Sequence, residues 1–99
     1  MTFESIDANL DAWAREHQLA VQREYRGEEV RSFEIVDAQG CRYQIWIDPP
    51  LPGSPIGVHV WDFGNRRLDA TSERQELTSA LTAALDKVRQ WIGEAATSG

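Results

Sequence analysis

The residues that could act as a nucleophile or a base are few and scattered in this sequence. Ser54, His59 and Asp62 are the side-chain types of a hydrolase triad, but no Gly-x-Ser-x-Gly turn presents the serine. Cys41 and His59 are the types of a cysteine nucleophile and its base. Strand alternation, however, turns Cys41 towards the core, so we predict a buried, slowly reacting thiol. The sequence predicts no catalytic residue and favours a protein that is not an enzyme.

Cofactor and metal chemistry lack a motif as well. His17 and His59 are expected on different elements, and Cys41 on the wrong side of the sheet, so these three residues do not form a usual zinc site. The glycines never form the run that cradles a phosphate at the start of a helix. Metal binding by carboxylates remains open, without an EF-hand spacing to support it. We therefore predict no cofactor and no metal site.

Composition is typical of a small acidic globular domain. The 99 residues are 41% hydrophobic and 26% charged, with a net charge of −6, which predicts one domain over residues 1–99. The basic residues are scattered, so neither nucleic acid nor a membrane is an expected partner. A single cysteine and the lack of a signal peptide or a membrane-spanning apolar run predict a cytoplasmic protein. The preference for Arg over Lys suggests a bacterial source.

Apolar residues at spacings of three and four predict a helix at each end of the chain. The first helix carries an apolar stripe from Phe3 to His17. The stripe of the second helix consists of Leu77, Leu81, Leu85, Val88 and Ile92. Gly93 is expected to end this helix and to leave residues 94–99 as a frayed tail.

Between the helices the apolar period changes to two, which is typical of strands. Three strands are predicted around residues 32–36, 42–48 and 58–61, and a fourth at Leu19–Tyr25, where the alternation is weak. Pairing Phe33 with Ile45, and Ile45 with Val60, keeps the apolar side chains on one side. Gly40 then lies in a tight turn, and the prolines of residues 49–55 must leave the sheet.

These elements predict an α+β fold. It is a two-layer sandwich in which an N-terminal helix, a four-stranded antiparallel meander and a C-terminal helix follow one another, with both helices on one face of the sheet. The opposite side is here called the aromatic face, and its predicted residues are Ser32, Glu34, Val36, Arg42, Gln44, Trp46, Asp48, His59, Trp61 and Phe63.

The aromatic face is the strongest functional signal in the sequence. The register places Trp46 beside His59 and Gln44 beside Trp61, with Arg42 beside Phe63. A contiguous exposed aromatic patch usually marks an interaction surface. The candidate partner-binding residues are therefore Trp46, Trp61, His59, Phe63, Arg42, Gln44 and Glu34.

Several functions are compatible with this face. The favoured one is a non-catalytic protein-binding module that takes an unknown protein partner or a second copy of itself. The alternative is a small-ligand-binding protein or an enzyme, with a pocket where the proline segment folds over Trp46, His59 and Trp61. The rings could also serve packing alone, because cross-strand pairs stabilise a sheet by about 0.2–1 kcal/mol each. Stacking of single-stranded nucleic acid is disfavoured because this face is expected to carry the carboxylates of Glu24, Glu34 and Asp48 against the single cation of Arg42.

The order helix, antiparallel sheet, helix in a small acidic chain resembles frataxin-type domains and several bacterial immunity proteins. The first resemblance implies metal handling, but the opening helix departs from it, since it lacks a dense acidic stripe and carries only Glu4, Asp7, Asp11 and Glu16. The second resemblance implies binding to a toxin. Both are likenesses of architecture alone, and architecture does not assign a function.

Overall fold

The computed structural model describes residues 3–98, with side chains up to Glu94. Its elements, in chain order, are α1 (Glu4–Glu16), β1 (Gln22–Tyr25), β2 (Glu28–Val36), β3 (Arg42–Ile47), β4 (Ile56–Trp61), β5 (Arg67–Ser72), a short 3₁₀ helix (Arg74–Glu76) and α2 (Leu77–Ser98). This is the predicted α+β fold with a helix at each end. The sheet, however, has five strands and not four.

Each strand pairs antiparallel with its neighbour in the chain, so the sheet is a meander in the order β1-β2-β3-β4-β5. The predicted register is confirmed, since Phe33 lies opposite Ile45 and Ile45 lies opposite Val60. Gly40 has a φ of +86° in the β2–β3 turn, as expected. The apolar pattern and the turn chemistry therefore specify the same pairing.

Strand β1 is shorter than the predicted Leu19–Tyr25 and begins only at Gln22. It pairs with β2, and the register shifts between Gln22 and Glu24. All four of its residues are exposed. The weak alternation of this segment thus reflects an irregular edge strand that buries little surface.

The sequence pattern does not predict β5, and the four-stranded sheet is wrong on this point. Five of the six residues of β5 are exposed, although Leu68 and Ala70 point to the same side as the core residues of β4. A strand that buries so little needs no strong apolar period. The available signal is the turn dipeptide Gly64-Asn65, which follows β4 and is typical of a hairpin.

Both helices pack on the same side of the sheet and share one hydrophobic core. The rings of Trp13 in α1 and Phe33 in β2 lie 5.1 Å apart, and those of Trp91 in α2 and Tyr43 in β3 lie 6.4 Å apart. Burial of one large apolar side chain contributes about 1.5–3 kcal/mol. The predicted stripe of α2 supplies several of them, since the buried residues of this helix include Leu77, Leu81, Leu85 and Val88.

Two local predictions are wrong. Cys41 is exposed and not buried, because it lies in the turn before β3, where strand alternation no longer sets the direction of a side chain. Helix α2 passes through Gly93 and continues to Ser98, since a glycine inside a helix costs only about 1 kcal/mol relative to alanine. Of the tail expected at residues 94–99, residues 94–98 are helical and Gly99 lies outside the described residues.

Candidate functional site

The aromatic face lies on the side of the sheet opposite the two helices. Trp46 on β3 and His59 and Trp61 on β4 are half-buried there, and Phe63 is 40% exposed. Trp46 lies opposite His59, and Gln44 lies opposite Trp61, in the predicted register. The apolar residues between them are buried against the helices, and the alternation of the strand therefore directs these side chains outward.

The rings of the aromatic face form a continuous row. Trp46 stacks on His59 with centroids 4.8 Å apart and meets Trp61 edge-on at 6.0 Å. Trp61 in turn contacts Phe63 at 4.9 Å, and its indole N–H donates to Gln44 Oε1 at 2.9 Å. Each aromatic pair contributes about 0.5–1.5 kcal/mol beyond burial. The row is therefore held in one arrangement by its own contacts.

A turn, and not a strand, places Phe63. Strand β4 ends at Trp61, and Phe63 has a φ of +61°, which is rare for a bulky residue. The carboxylate of Asp62 holds the turn by accepting hydrogen bonds from the N–H groups of Gly64 at 2.8 Å and Arg66 at 3.1 Å. Asp62 thus serves the turn and not a catalytic histidine. Residues with such strained backbones cluster at functional sites.

Arg42 covers the exposed end of this row. Its guanidinium carbon lies 4.7 Å from the centroid of the Phe63 ring, while Nε and Nη2 donate to the Glu34 carboxylate at 3.2 and 2.7 Å. These hydrogen bonds hold the pKa of Glu34 below its usual value. The ion pair keeps the guanidinium plane over the ring, which is the geometry of a cation–π contact.

Arg67 and Asp69 extend the aromatic face onto β5, and sequence reasoning missed both. The guanidinium of Arg67 lies 5.2 Å from the Trp46 ring and donates to Asp69 at 2.9 Å. Hydrogen bonds from His59 and Arg67 hold the pKa of Asp69 below its usual value. A hairpin predicted at Gly64-Asn65 would have placed Asp69 beside His59, since the two residues are opposite in the register.

His59 is clamped between two carboxylates. Its Nε2 lies 2.8 Å from Asp48 Oδ2, and its Nδ1 lies 2.6 Å from Asp69 Oδ1. A carboxylate only accepts hydrogen bonds, so both contacts are hydrogen bonds when each ring nitrogen carries a proton, which is the imidazolium form of His59. Burial lowers the pKa of His59, but the hydrogen bonds and charges of Asp48 and Asp69 outweigh burial and raise it above its usual value. In this arrangement His59 is neither a free base nor a metal ligand.

Gly57 makes room for this clamp. It lies opposite Asp48, whose N–H donates to the Gly57 carbonyl at 2.9 Å. A methyl group at residue 57 would collide with the Asp48 carboxylate and come within 3.0 Å of His59 Nε2. A glycine inside a strand often marks such a close approach, so the sequence contained a signal for this contact.

A groove of about 760 Å³ runs along the aromatic face. Its walls include Tyr25, Gln44, Trp46, Pro49, Trp61 and Phe63. Within the described part of the chain, Pro49 is the one residue of the proline segment that lines the groove. Leu51, which also belongs to the proline segment, is 54% exposed and does not line the groove. The groove is thus formed mostly by residues of the sheet, with Pro49 and Phe3 also in its wall.

The carboxylates of α1 join this helix to the sheet. Arg31 is 5% exposed, and its Nε donates to Asp7 at 2.7 Å, while Arg23 donates to Asp11 at 2.5 Å. The hydrogen bond from Arg31 is the main reason that the pKa of Asp7 lies below its usual value. Among the residues that the structure describes, no group of three His, Cys, Asp or Glu side chains is placed to hold a metal ion.

Comparison of the chain with protein-family models, with curated proteins and with solved structures finds no match. Over residues 3–98, no helix has both the length and the apolar character needed to cross a membrane. The geometry of the aromatic face is therefore the basis on which a function is proposed.

Proposed function

We propose that this protein is a non-catalytic binding module that takes a partner protein on its aromatic face. The observation that carries the proposal is the row of Trp46, Trp61 and Phe63 rings, flanked by two arginines, on the side of the sheet away from the helices. Tryptophan, tyrosine and arginine supply much of the binding energy at protein interfaces. The composition of this face is thus that of an interface centre.

The side chains of this face are ordered before any partner arrives. The Trp61 indole is bonded to Gln44, and the guanidinium of Arg42 is held by Glu34. Association loses affinity through the ordering of flexible side chains, at about 0.5–1.5 kcal/mol for each one. A surface that is already ordered avoids most of that loss, which supports a binding role.

The charges of the aromatic face balance, although the whole chain has a net charge of −6. With His59 protonated, three cationic groups stand beside three anionic ones: Arg42, His59 and Arg67 beside Glu34, Asp48 and Asp69. A balanced surface offers little attraction to a phosphate backbone. A balanced surface also repels an acidic protein less than the rest of this negatively charged chain does. A protein is therefore the favoured occupant.

The other candidate functions have less support. The groove volume of about 760 Å³ is within the range of small-molecule sites, but the groove lies along the sheet and Trp46 already contacts His59 and Arg67. An enzymatic role is disfavoured because both nitrogens of His59 are engaged. Metal handling through α1 is disfavoured because Asp7 and Asp11 already bind arginines.

Photo-cross-linking in cells that express the protein naturally tests the proposal. A photoreactive residue replaces Val36, which is 55% exposed and lies on the aromatic face opposite Arg42. The matched control carries the same probe at Ala83, an exposed position of α2. We expect a discrete adduct from residue 36 alone, with a yield that falls in the Phe63→Ala and Trp61→Ala variants.

The mass of the adduct identifies the class of partner. An adduct with twice the chain mass of 11.2 kDa would indicate that the partner is a second copy. An adduct of any other discrete mass would indicate a different protein. The proposal is wrong if residues 36 and 83 give the same adducts, if neither gives one, or if both variants leave the yield unchanged.

A further inference from the structure

The two edges of the sheet differ in how well they are protected. Edge strands expose unpaired N–H and C=O groups, and proteins usually block them with bulges, charges or short strands. Strand β1 has only four residues and an irregular register. Strand β5 has six residues in an unbroken register from Arg67 to Ser72 and contains no proline. The β5 edge is therefore the open one.

The hydrogen-bond alternation shows which groups this edge exposes. The N–H of Asp62 donates to the Arg66 carbonyl at 3.2 Å and closes the β4–β5 hairpin. Antiparallel strands alternate in the direction of their backbone groups. Every second residue of β5 from Leu68 onward therefore bonds to β4, and the backbone groups of Arg67, Asp69 and Thr71 point away from the sheet. Within the described residues, these outward groups lie on the edge strand of the sheet.

The charged side chains of β5 do not guard its edge. Arg67 lies over Trp46, and Asp69 is bonded to His59, so both are drawn inward over the aromatic face. On the helix side, Leu68 remains 44% exposed because α2 does not cover it. An open edge beside an exposed leucine is an attractive site for another strand.

We propose that a second copy of this chain pairs its own β5 with this edge, antiparallel and about a two-fold axis at Ala70. Glu73 is also extended, with φ −73° and ψ 156°, so residues 67–73 can pair. In this register Arg67 lies opposite Glu73 of the second copy, and Asp69 lies opposite Thr71 of the second copy. Opposite charges thus meet on both sides of the axis, and no like charges oppose each other.

The neighbouring registers are less favourable. An axis at Asp69 would place the two Asp69 carboxylates directly opposite each other, which is destabilising. An axis at Leu68 would pair only residues 67–69 of β5 with each other, because Ala70 and Thr71 would then lie opposite residues 66 and 65 of the hairpin turn. The axis at Ala70 is the one that uses the whole strand without a charge conflict.

Such a dimer would extend the five-stranded sheet across two chains. A two-fold axis perpendicular to the sheet places both helical layers on one side and both aromatic faces on the other. The paired surface would be separate from the aromatic face, so this inference does not depend on the proposed function.

Substitution of Thr71 tests the pairing in the full chain. Thr71→Pro removes an outward N–H, which bonds no residue of β4, so the hairpin keeps its hydrogen bonds. By symmetry the dimer loses this donor twice, and we expect dimerisation to weaken about tenfold or more. The matched control, Thr71→Ala, keeps the N–H and should dimerise as the wild type does. Sedimentation equilibrium over a range of concentrations measures both.

A charge exchange at residue 70 tests the register without relying on proline. Ala70 is exposed, and the two copies of this residue would lie about 4.5 Å apart in a non-hydrogen-bonded pair. Ala70→Lys and Ala70→Glu should each be monomeric alone, because like charges meet at the axis. Mixed in equal amounts, they should dimerise again, which only a two-fold pairing near this residue explains.

Several outcomes would overturn the inference. The wild type could remain monomeric at millimolar concentration, or Thr71→Pro could dimerise as well as Thr71→Ala while circular dichroism shows that both are folded. A failure of the Ala70 variants to complement each other would exclude the register. A dimer that is lost in Trp61→Ala but kept in Thr71→Pro would assign self-association to the aromatic face, which would refute the edge pairing and support the proposed function.

Discussion

Phe63→Ala removes more atoms than Ile45→Ala, yet we expect it to destabilise the fold less. Ile45 is 0% exposed, and truncation deletes three carbons, which at about 0.8 kcal/mol each is about 2.4 kcal/mol. The cavity left behind raises the expected loss to about 3–4 kcal/mol. Phe63 is 40% exposed, so truncation removes a partly buried ring and one ring contact and leaves no closed cavity, for an expected loss of about 1.5–3 kcal/mol.

Urea denaturation followed by far-ultraviolet circular dichroism measures both losses as free energies of unfolding. Circular dichroism is preferable to fluorescence because Phe63 contacts Trp61, whose emission would change with the substitution itself. If Phe63→Ala destabilises the protein as much as Ile45→Ala, the ring belongs to the core and the aromatic face is not a free surface. If Phe63→Ala destabilises the protein less than Ile45→Ala does, the Phe63→Ala protein remains folded. A loss of cross-linking in this variant then shows that a contact with the partner has been removed.

Three further predictions concern the clamp and the cysteine. The pKa of His59 in the folded protein is raised above the usual 6.5, so the protonated ring stabilises the fold below pH 6.5, and this stabilisation is lost as the pH rises through the folded-state pKa. The urea concentration at the unfolding midpoint should therefore fall as the pH rises from 6.5 through that pKa in the wild type, and it should fall by less in His59→Gln. Gly57→Ala should push Asp48 away from the ring and lower the pKa of His59, measured by NMR titration; an unchanged pKa would contradict the clamp. Cys41 is exposed, so a thiol reagent should label the native and the urea-unfolded protein at rates within about tenfold of each other; strong protection in the native state would contradict the turn geometry.

Much of the fold could be predicted because its apolar residues are sharply periodic. Strands β3 and β4 alternate buried side chains with half-buried or exposed ones, and the observed register places Ile45 and Val60 on the same side. A slip by one residue would move every apolar side chain to solvent. Cys41 was misplaced by the same reasoning, since alternation holds within a strand and fails in the turn beside it.

The candidate site could be predicted only in outline. Parity along β3 and β4 is enough to bring Trp46, His59 and Trp61 to one face, because it depends on neighbours in the same two strands. The clamp on His59 also requires Asp69 from β5 and the missing side chain of Gly57. Neither follows from apolar periodicity, so the charge state of His59 could not be inferred from the sequence pattern.

Strand β5 is held in the sheet by means other than apolar burial. Ser72 is the one buried residue of this strand. The strand is attached to the sheet by hydrogen bonds to β4 and by the contacts of Asp69 with His59 and of Arg67 with Trp46. These polar and cation–π contacts hold β5 in the sheet, whereas the hydrophobic core holds the other strands. A search for apolar periodicity therefore could not detect β5. It follows that the aromatic face and the β5 edge are mechanically linked. A partner on the aromatic face would therefore contact Trp46 and Arg67, the same side chains that help to hold the strand whose outer edge is proposed to receive a second copy.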